Sequence, residues 1–147
     1  MKSFILSIFV FCITVAGFSQ NQYNIIPEPQ KLTAAKGVFT FKQNNTITVI
    51  AKNSEIFSVA SMLSEQLKTS FAMALPVKAG SVKATGIFFV QNDELGDEAY
   101  RLLITTKQIT IQSKNGQGAF YALQSLFQLM PAQVYATSKS SVIPRAT

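Results

Sequence analysis

Hydrophobic residues recur along this chain with two different periods, and each period predicts a type of element. Two segments repeat apolar residues at three- and four-residue steps, which places them on one face of a helix: Ile56, Val59, Ala60, Leu63, Leu67 and Phe71 in the first, and Ala119, Ala122, Leu123, Leu126, Phe127 and Met130 in the second. We predict that Asn53 or Ser54 caps the first helix, with Glu55 in its first turn. The second helix should span roughly residues 116–130. Phe120 and Leu129 widen its apolar stripe, so we expect it to be the more buried of the two.

Five other segments are rich in β-branched, aromatic or aliphatic residues, as strands are. They cover residues 38–41, 46–50, 86–90, 100–105 and 109–112. Residues 86–90 show no alternation, which is typical of a central strand buried on both faces. In the fourth segment Tyr100, Leu102 and Ile104 share one face, and a tight turn at Thr106-Lys107 joins it to the fifth as a hairpin.

These elements follow one another in the order β-β-α-β-β-β-α. The helix between residues 46–50 and 86–90 predicts a right-handed crossover with those two strands parallel. We therefore predict an α+β fold in which helices pack on a mixed β-sheet. Pro27 and Pro29 make residues 20–36 an extended lead-in rather than a helix.

Residues 1–19 have the layout of a secretory signal peptide. Lys2 gives a positive start, residues 4–18 are mostly apolar, and Gly17 and Ser19 are small residues at the positions that signal peptidase reads. The apolar run is shorter than the ~20 residues of a transmembrane helix, so cleavage between Ser19 and Gln20 is favoured over an uncleaved anchor. Phe11 argues against lipid attachment at Cys12. We predict an exported protein, periplasmic, surface-bound or extracellular, that has no membrane contact after cleavage.

Removal of this segment would take away the only cysteine, and the chain contains no histidine and no tryptophan. This excludes disulfides, a Ser-His nucleophile and an ordinary zinc site. Thirteen basic residues include Lys2, so the mature chain would carry twelve against seven acidic ones, a net charge of +5. The basic residues stand apart, without the clustered stripe that nucleic-acid binding favours. We expect no cofactor, no metal and no nucleic-acid partner.

The densest acidic group comprises Asp93, Glu94, Asp97 and Glu98. An adjacent Asp-Glu pair can divide acid and base roles only where the environment separates the two pKa values. Calcium binding would need a spacing that is absent here. Turn formation alone selects loops rich in Asp, Asn and Gly, and we interpret the group as a solvated hairpin loop.

Three further motifs could each have a function, and for each we also give a purely structural or neutral interpretation. The string NGQG at residues 115–118 lies where a dinucleotide-binding turn would, but Tyr121 replaces the third glycine. We interpret these glycines as a sharp turn that lets the helix approach the sheet closely. Residues 44–46 form the glycosylation sequon NNT, which has no meaning in a bacterial protein. Four tyrosines could line a sugar-binding face, although packing is favoured: Tyr23, Tyr100, Tyr121 and Tyr135.

Three strings, taken in order, resemble the N-terminal domain of glycoside hydrolase family 20, the β-N-acetylhexosaminidases. They are IPEPQ at residues 26–30, GDEAYRL at residues 96–102 and GAFYALQSLFQL at residues 118–129. The resemblance covers residues 23–143. It implies that residues 37–131 are a non-catalytic α+β domain, followed over residues 132–147 by a tail or the start of a linker to a catalytic (β/α)8 barrel.

The resemblance also implies an activity for the parent protein. The family's enzymes remove terminal N-acetylglucosamine or N-acetylgalactosamine, with the substrate's own acetamido oxygen in place of an enzyme nucleophile. Their Asp orients that acetamido group and their Glu is the general acid/base, and the pair follows a histidine and two glycines on a barrel strand. Leu95-Gly96 precedes Asp97 here, so we assign no catalytic residue to this chain.

We therefore expect the accessory domain of an exported β-N-acetylhexosaminidase, with the barrel as its main partner and glycans as a second kind of partner. Two alternatives stay open: a stand-alone carbohydrate-binding or surface module, and the equivalent domain of another glycosidase family. The chain stops at Thr147, about where a barrel would begin. We expect a fragment or an isolated domain that does not hydrolyse glycosides by itself.

Overall fold

Two helices lie against a five-stranded sheet in the part of the chain that the structure describes, which is residues 23–135 of a computed structural model. The predicted signal segment with Cys12 lies outside the described residues. The elements are β1 (Ile47–Ile50), α1 (Ser54–Phe71), β2 (Val77–Ala79), β3 (Gly86–Gln91), β4 (Tyr100–Ile104), β5 (Gln108–Ser113), α2 (Gly116–Leu129) and a 3-10 helix (Ala132–Tyr135).

The sheet is mixed, with the strand order β2-β1-β3-β5-β4. β1 pairs in parallel with both β2 and β3, and β3 pairs in parallel with β5. β4 is antiparallel to β5, as the predicted hairpin requires. The α+β class and the parallel pairing of β1 with β3 are therefore confirmed.

Local sequence explains where both helices begin. The Asn53 side chain accepts a hydrogen bond from Glu55 N at 2.8 Å and caps α1. The Asn115 side chain accepts from Gln117 N and Gly118 N at 3.0 and 3.1 Å and caps α2. Such caps satisfy backbone donors that have no partner within the helix. Of the two predicted caps for α1, Asn53 is confirmed.

Both helices pack on the same face of the sheet, because α1 contacts β1, β2 and β3 while α2 contacts α1, β4 and β5. Alternate strand residues point into the resulting core and are buried: Ile47, Val49, Ile87, Phe89, Ile109 and Ile111. The predicted difference between the helices is confirmed, since α2 buries eight of its 14 residues and α1 seven of its 18. Phe120 is the exception, because it lies on the surface of α2.

The opposite face of the sheet carries a row of register partners across all five strands: Lys78, Thr48, Phe88, Thr110 and Leu103. Thr48 and Phe88 are buried in the middle of the row, whereas Leu103 is 57% exposed. We call this side of the molecule the open face.

The strand predicted over residues 38–41 is wrong. Only Phe39 forms a single β-bridge, and the segment is otherwise without regular structure. Phe39 and Phe41 are nevertheless buried, with their rings in edge contact at 5.1 Å. The β-branched and aromatic residues that suggested a strand therefore reflect two phenylalanines packed into the core.

The fifth strand is instead β2, a three-residue edge strand that the sequence did not predict. Three residues are too few to show a period. Exposed Lys78 in its centre is typical of a sheet edge, where a charge discourages pairing with another chain.

Residues 23–36 contain neither helix nor strand. Within residues 23–135, no helix combines the length and apolar character needed to cross a bilayer.

Candidate functional site

The acidic residues predicted as a solvated loop lie between β3 and β4, over residues 92–99. This loop is not a hairpin, because β5 lies between β3 and β4 in the sheet. It crosses the end of β5, where Asn92 N donates to the Ser113 carbonyl at 2.8 Å. Asp93, Glu94, Asp97 and Glu98 are all exposed. The solvated location is as predicted, and the hairpin is wrong.

Each member of the Asp-Glu pair has its own polar neighbour at the start of α2. The Lys114 ammonium lies 2.7 Å from the Asp97 carboxylate. This hydrogen bond, together with the negative charge of Asp97, raises the pKa of Lys114. Glu98 accepts a hydrogen bond from the Gln117 side chain at 2.9 Å. Among the described residues there is no cluster of three acidic or other metal-binding side chains that could hold an ion between them.

The backbone N–H groups at the NGQG turn already have hydrogen-bond partners. The Glu55 carboxylate accepts a hydrogen bond from Gly116 N at 3.2 Å, and Asn115 takes the next two N–H groups. A phosphate would need these same donors and would meet the negative charge of Glu55. The arrangement favours the structural interpretation of the glycines.

Close packing against neighbouring residues explains why both of these positions in the turn are glycine. A Cβ atom at Gly116 would lie 2.5 Å from Glu55 Cβ, and one at Gly118 would lie 2.5 Å from the Ala99 carbonyl oxygen. Contacts this short are not tolerated. The predicted close packing at Gly118 is confirmed, and it involves the β3–β4 loop as well as Ser113 of the sheet.

Three of the four tyrosines contact other side chains of the domain. Tyr100 is half-buried beneath α2, with its hydroxyl 2.6 Å from that of Ser125. Tyr121 is exposed on the outer side of α2, and the Tyr135 ring makes an edge contact with Phe127. The Tyr100 hydroxyl is thus engaged by Ser125, and the Gln117 side chain lies 3.4 Å from the Tyr121 hydroxyl, which favours the packing interpretation.

The most distinctive surface of the described residues is one that sequence analysis missed. Four large apolar side chains of α1 and α2 are between 37% and 47% exposed: Phe57, Met62, Phe120 and Tyr121. We call them the helical surface. Their sequence signal was present but weak, since Phe57 and Met62 are large apolar residues among the otherwise polar exposed positions of α1.

The sequence and fold both match known proteins. The sequence model for "Glycosyl hydrolase family 20, domain 2" matches residues 22–147. A β-hexosaminidase of Porphyromonas gingivalis is 31% identical over 119 residues, which are 79% of this chain and 15% of that protein.

Solved structures agree with this assignment. A family 20 β-N-acetylhexosaminidase from Streptomyces coelicolor matches with a TM-score of 0.74 and 27% identity, over 83% of this chain and 24% of that one. A chitobiase from Flavobacterium johnsoniae shares the fold, with a TM-score of 0.62 and 23% identity over 85% of this chain and 20% of its own. This chain thus spans a quarter or less of the length of each of these three proteins. It belongs to glycosyl hydrolase family 20, of which it represents domain 2.

Proposed function

We propose that this chain is the accessory domain of an exported β-N-acetylhexosaminidase, and that it packs against a catalytic barrel in the full-length protein. The parent enzyme would remove terminal N-acetylglucosamine or N-acetylgalactosamine from glycans or chitin fragments. The observation that carries this proposal is the helical surface, a set of apolar side chains left in water on a domain that matches only part of its relatives.

The rings of Phe120 and Tyr121 lie side by side with their centroids 6.2 Å apart, and neighbouring exposed apolar side chains are typical of a surface that another domain covers. The described chain also ends on this side of the molecule. Gln66 and Ser70 of α1 both donate to the Val134 carbonyl, and Tyr135 lies against Phe127 of α2. A domain that follows in the sequence would begin beside the helices, which supports the barrel as the occupant of the helical surface.

The surroundings of Asp97 and Glu98 support a non-catalytic role. Catalytic carboxylates usually lie in a cleft that holds the substrate against them. Both carboxylates are exposed, and their neighbours are a lysine and a glutamine. Export is supported by the layout of residues 1–19 alone.

The reading frame beyond Thr147 gives the first test. We expect it to encode a barrel that contains a His-x-Gly-Gly-Asp-Glu string. The purified 147-residue chain should release no product from a chromogenic N-acetylglucosaminide, whereas the full-length protein should.

Two further measurements separate the alternatives. Full-length protein that carries Glu98→Gln should keep its activity, and loss of activity would make the loop pair catalytic after all. Calorimetric titration of the 147-residue chain with N-acetylglucosamine oligomers should show no binding. Saturable binding there would favour a carbohydrate-binding module instead.

A further inference from the structure

A polar cavity of about 190 Å³ opens on the open face, at the amino ends of β1 and β3 and beside β2. Neither the family assignment nor the helical surface involves it. Eight residues line it: Asn44, Asn45, Thr46, Thr48, Lys78, Lys83, Thr85 and Gly86. They come from the turn before β1, from the strands, and from the loop between β2 and β3.

Gly86, which is buried, lies on the floor of the cavity. Its φ of +137° is a conformation that L residues avoid. A Cβ atom at this position would lie 3.2 Å from the Phe88 ring and 3.6 Å from the Thr46 carbonyl oxygen. Thr48 forms the rest of the floor and is only 4% exposed, with its methyl group toward Gly80.

The rim is held in place by hydrogen bonds. The Lys83 carbonyl accepts from the Gln108 side chain at 2.6 Å, which ties the β2–β3 loop to β5. The Asn45 side-chain oxygen accepts from Lys42 N at 2.7 Å. Lys78 is fixed by its backbone as the register partner of Thr48. These contacts anchor the backbone at three of the lining positions.

The lining is rich in donors and carries positive charge only. Two ammonium groups, from Lys78 and Lys83, face no carboxylate among the eight lining residues. Within residues 23–135, neither lysine takes part in an ion pair. Asparagine amides and threonine hydroxyls supply the remaining donors. No aromatic ring lines the cavity, so a neutral sugar would lack the stacking platform that such ligands use.

We propose that this cavity binds a tetrahedral oxyanion, sulfate or phosphate, either free or as an ester substituent of a glycan. Lys78 and Lys83 bind its outer oxygens by charge-assisted hydrogen bonds, and the Thr48 hydroxyl donates to it from the floor. The site is independent of the proposed function, because it requires neither a barrel nor glycosidase activity.

The test is a titration of the ¹⁵N-labelled 147-residue chain, followed by its amide chemical shifts. Sodium sulfate, sodium phosphate, N-acetylglucosamine 6-sulfate and unmodified N-acetylglucosamine are compared at constant ionic strength set with chloride. We expect saturable shifts confined to residues 44–48 and 78–86 with at least one of the three anions, and none with the neutral sugar. Tighter binding of the sulfated sugar than of sulfate identifies a glycan ester as the source, and the reverse identifies the free ion.

Three variants distinguish a built site from diffuse attraction to positive charge. Lys78→Gln/Lys83→Gln should weaken binding by about tenfold or more, the effect of losing charge-assisted hydrogen bonds. Lys31→Gln/Lys52→Gln removes the same charge from exposed positions outside the cavity and should leave binding unchanged. Thr48→Val keeps the shape of the side chain and should weaken binding severalfold. The proposal is overturned if no anion gives saturable shifts, if both lysine pairs act alike, or if Thr48→Val binds as the parent chain does.

Discussion

At Gly118 the first turn of α2 passes directly beneath the β3–β4 loop, and a single methyl group decides whether it fits. We expect Gly118→Val to lower the free energy of unfolding by about 1–3 kcal/mol, since overpacking forces backbone or side chains to move. Urea unfolding measures this loss. The matched control is Gly96→Ala in the same loop, where a Cβ would meet only Ala99 Cβ at an ordinary 3.8 Å. Equal stability of the Gly118 and Gly96 variants would refute the close-contact argument.

The same contact accounts for the small residue at the end of β5. Ser113 is buried, and its hydroxyl has no hydrogen-bond partner among the described residues. A buried hydroxyl without a partner costs free energy, yet a larger apolar residue would crowd the position of Gly118, which lies beside Ser113 Cβ. The small side chain of Ser113 therefore leaves the room that α2 needs to lie close to the sheet.

At the scale of elements, Glu55 joins the beginnings of the two helices. It occupies the first turn of α1, where the helix dipole favours an acid, and it accepts a hydrogen bond from Gly116 N of α2. We expect Glu55→Ala to lower the free energy of unfolding by about 1 kcal/mol, because both effects are lost. Glu65→Ala on the same helix is the control, since Glu65 makes only an exposed pair with Lys68. In thermal unfolding, Glu55→Ala should lower the melting temperature more than Glu65→Ala does, at both low and high salt.

Elements with long periodic patterns could be predicted from the sequence, and short or irregular ones could not. Both helices, the Asn53 cap and the hairpin of β4 and β5 follow from local spacing and turn residues. The Glu55–Gly116 contact joins residues 61 positions apart, which no local pattern reveals. Phe39 and Phe41 show why the strand prediction over residues 38–41 was wrong: aromatic and β-branched residues indicate burial, but they do not show that the backbone pairs with a neighbouring strand.

At the scale of the whole molecule, the two sides of the sheet differ in what they expose. The helix side carries the helical surface and the end of the described chain, whereas the open face carries the cationic cavity and Leu103. The family strings at residues 96–102 and 118–129 mark the fold but do not reveal this division, because exposure depends on how α1 and α2 lie together.

The docking side can be tested in the full-length protein with paired charge substitutions. Met62→Asp/Tyr121→Asp places two carboxylates on the helical surface, where a covering barrel would leave them buried and unpaired. Leu103→Asp/Val82→Asp makes the same chemical change at exposed positions outside the helices. We expect the first pair to lower the melting temperature of the full-length protein by several degrees more than it lowers that of the 147-residue chain. The control pair should have the same small effect on both proteins. A larger full-length effect from the control pair would place the barrel on the open face, and equal effects of both pairs would mean that neither side is covered.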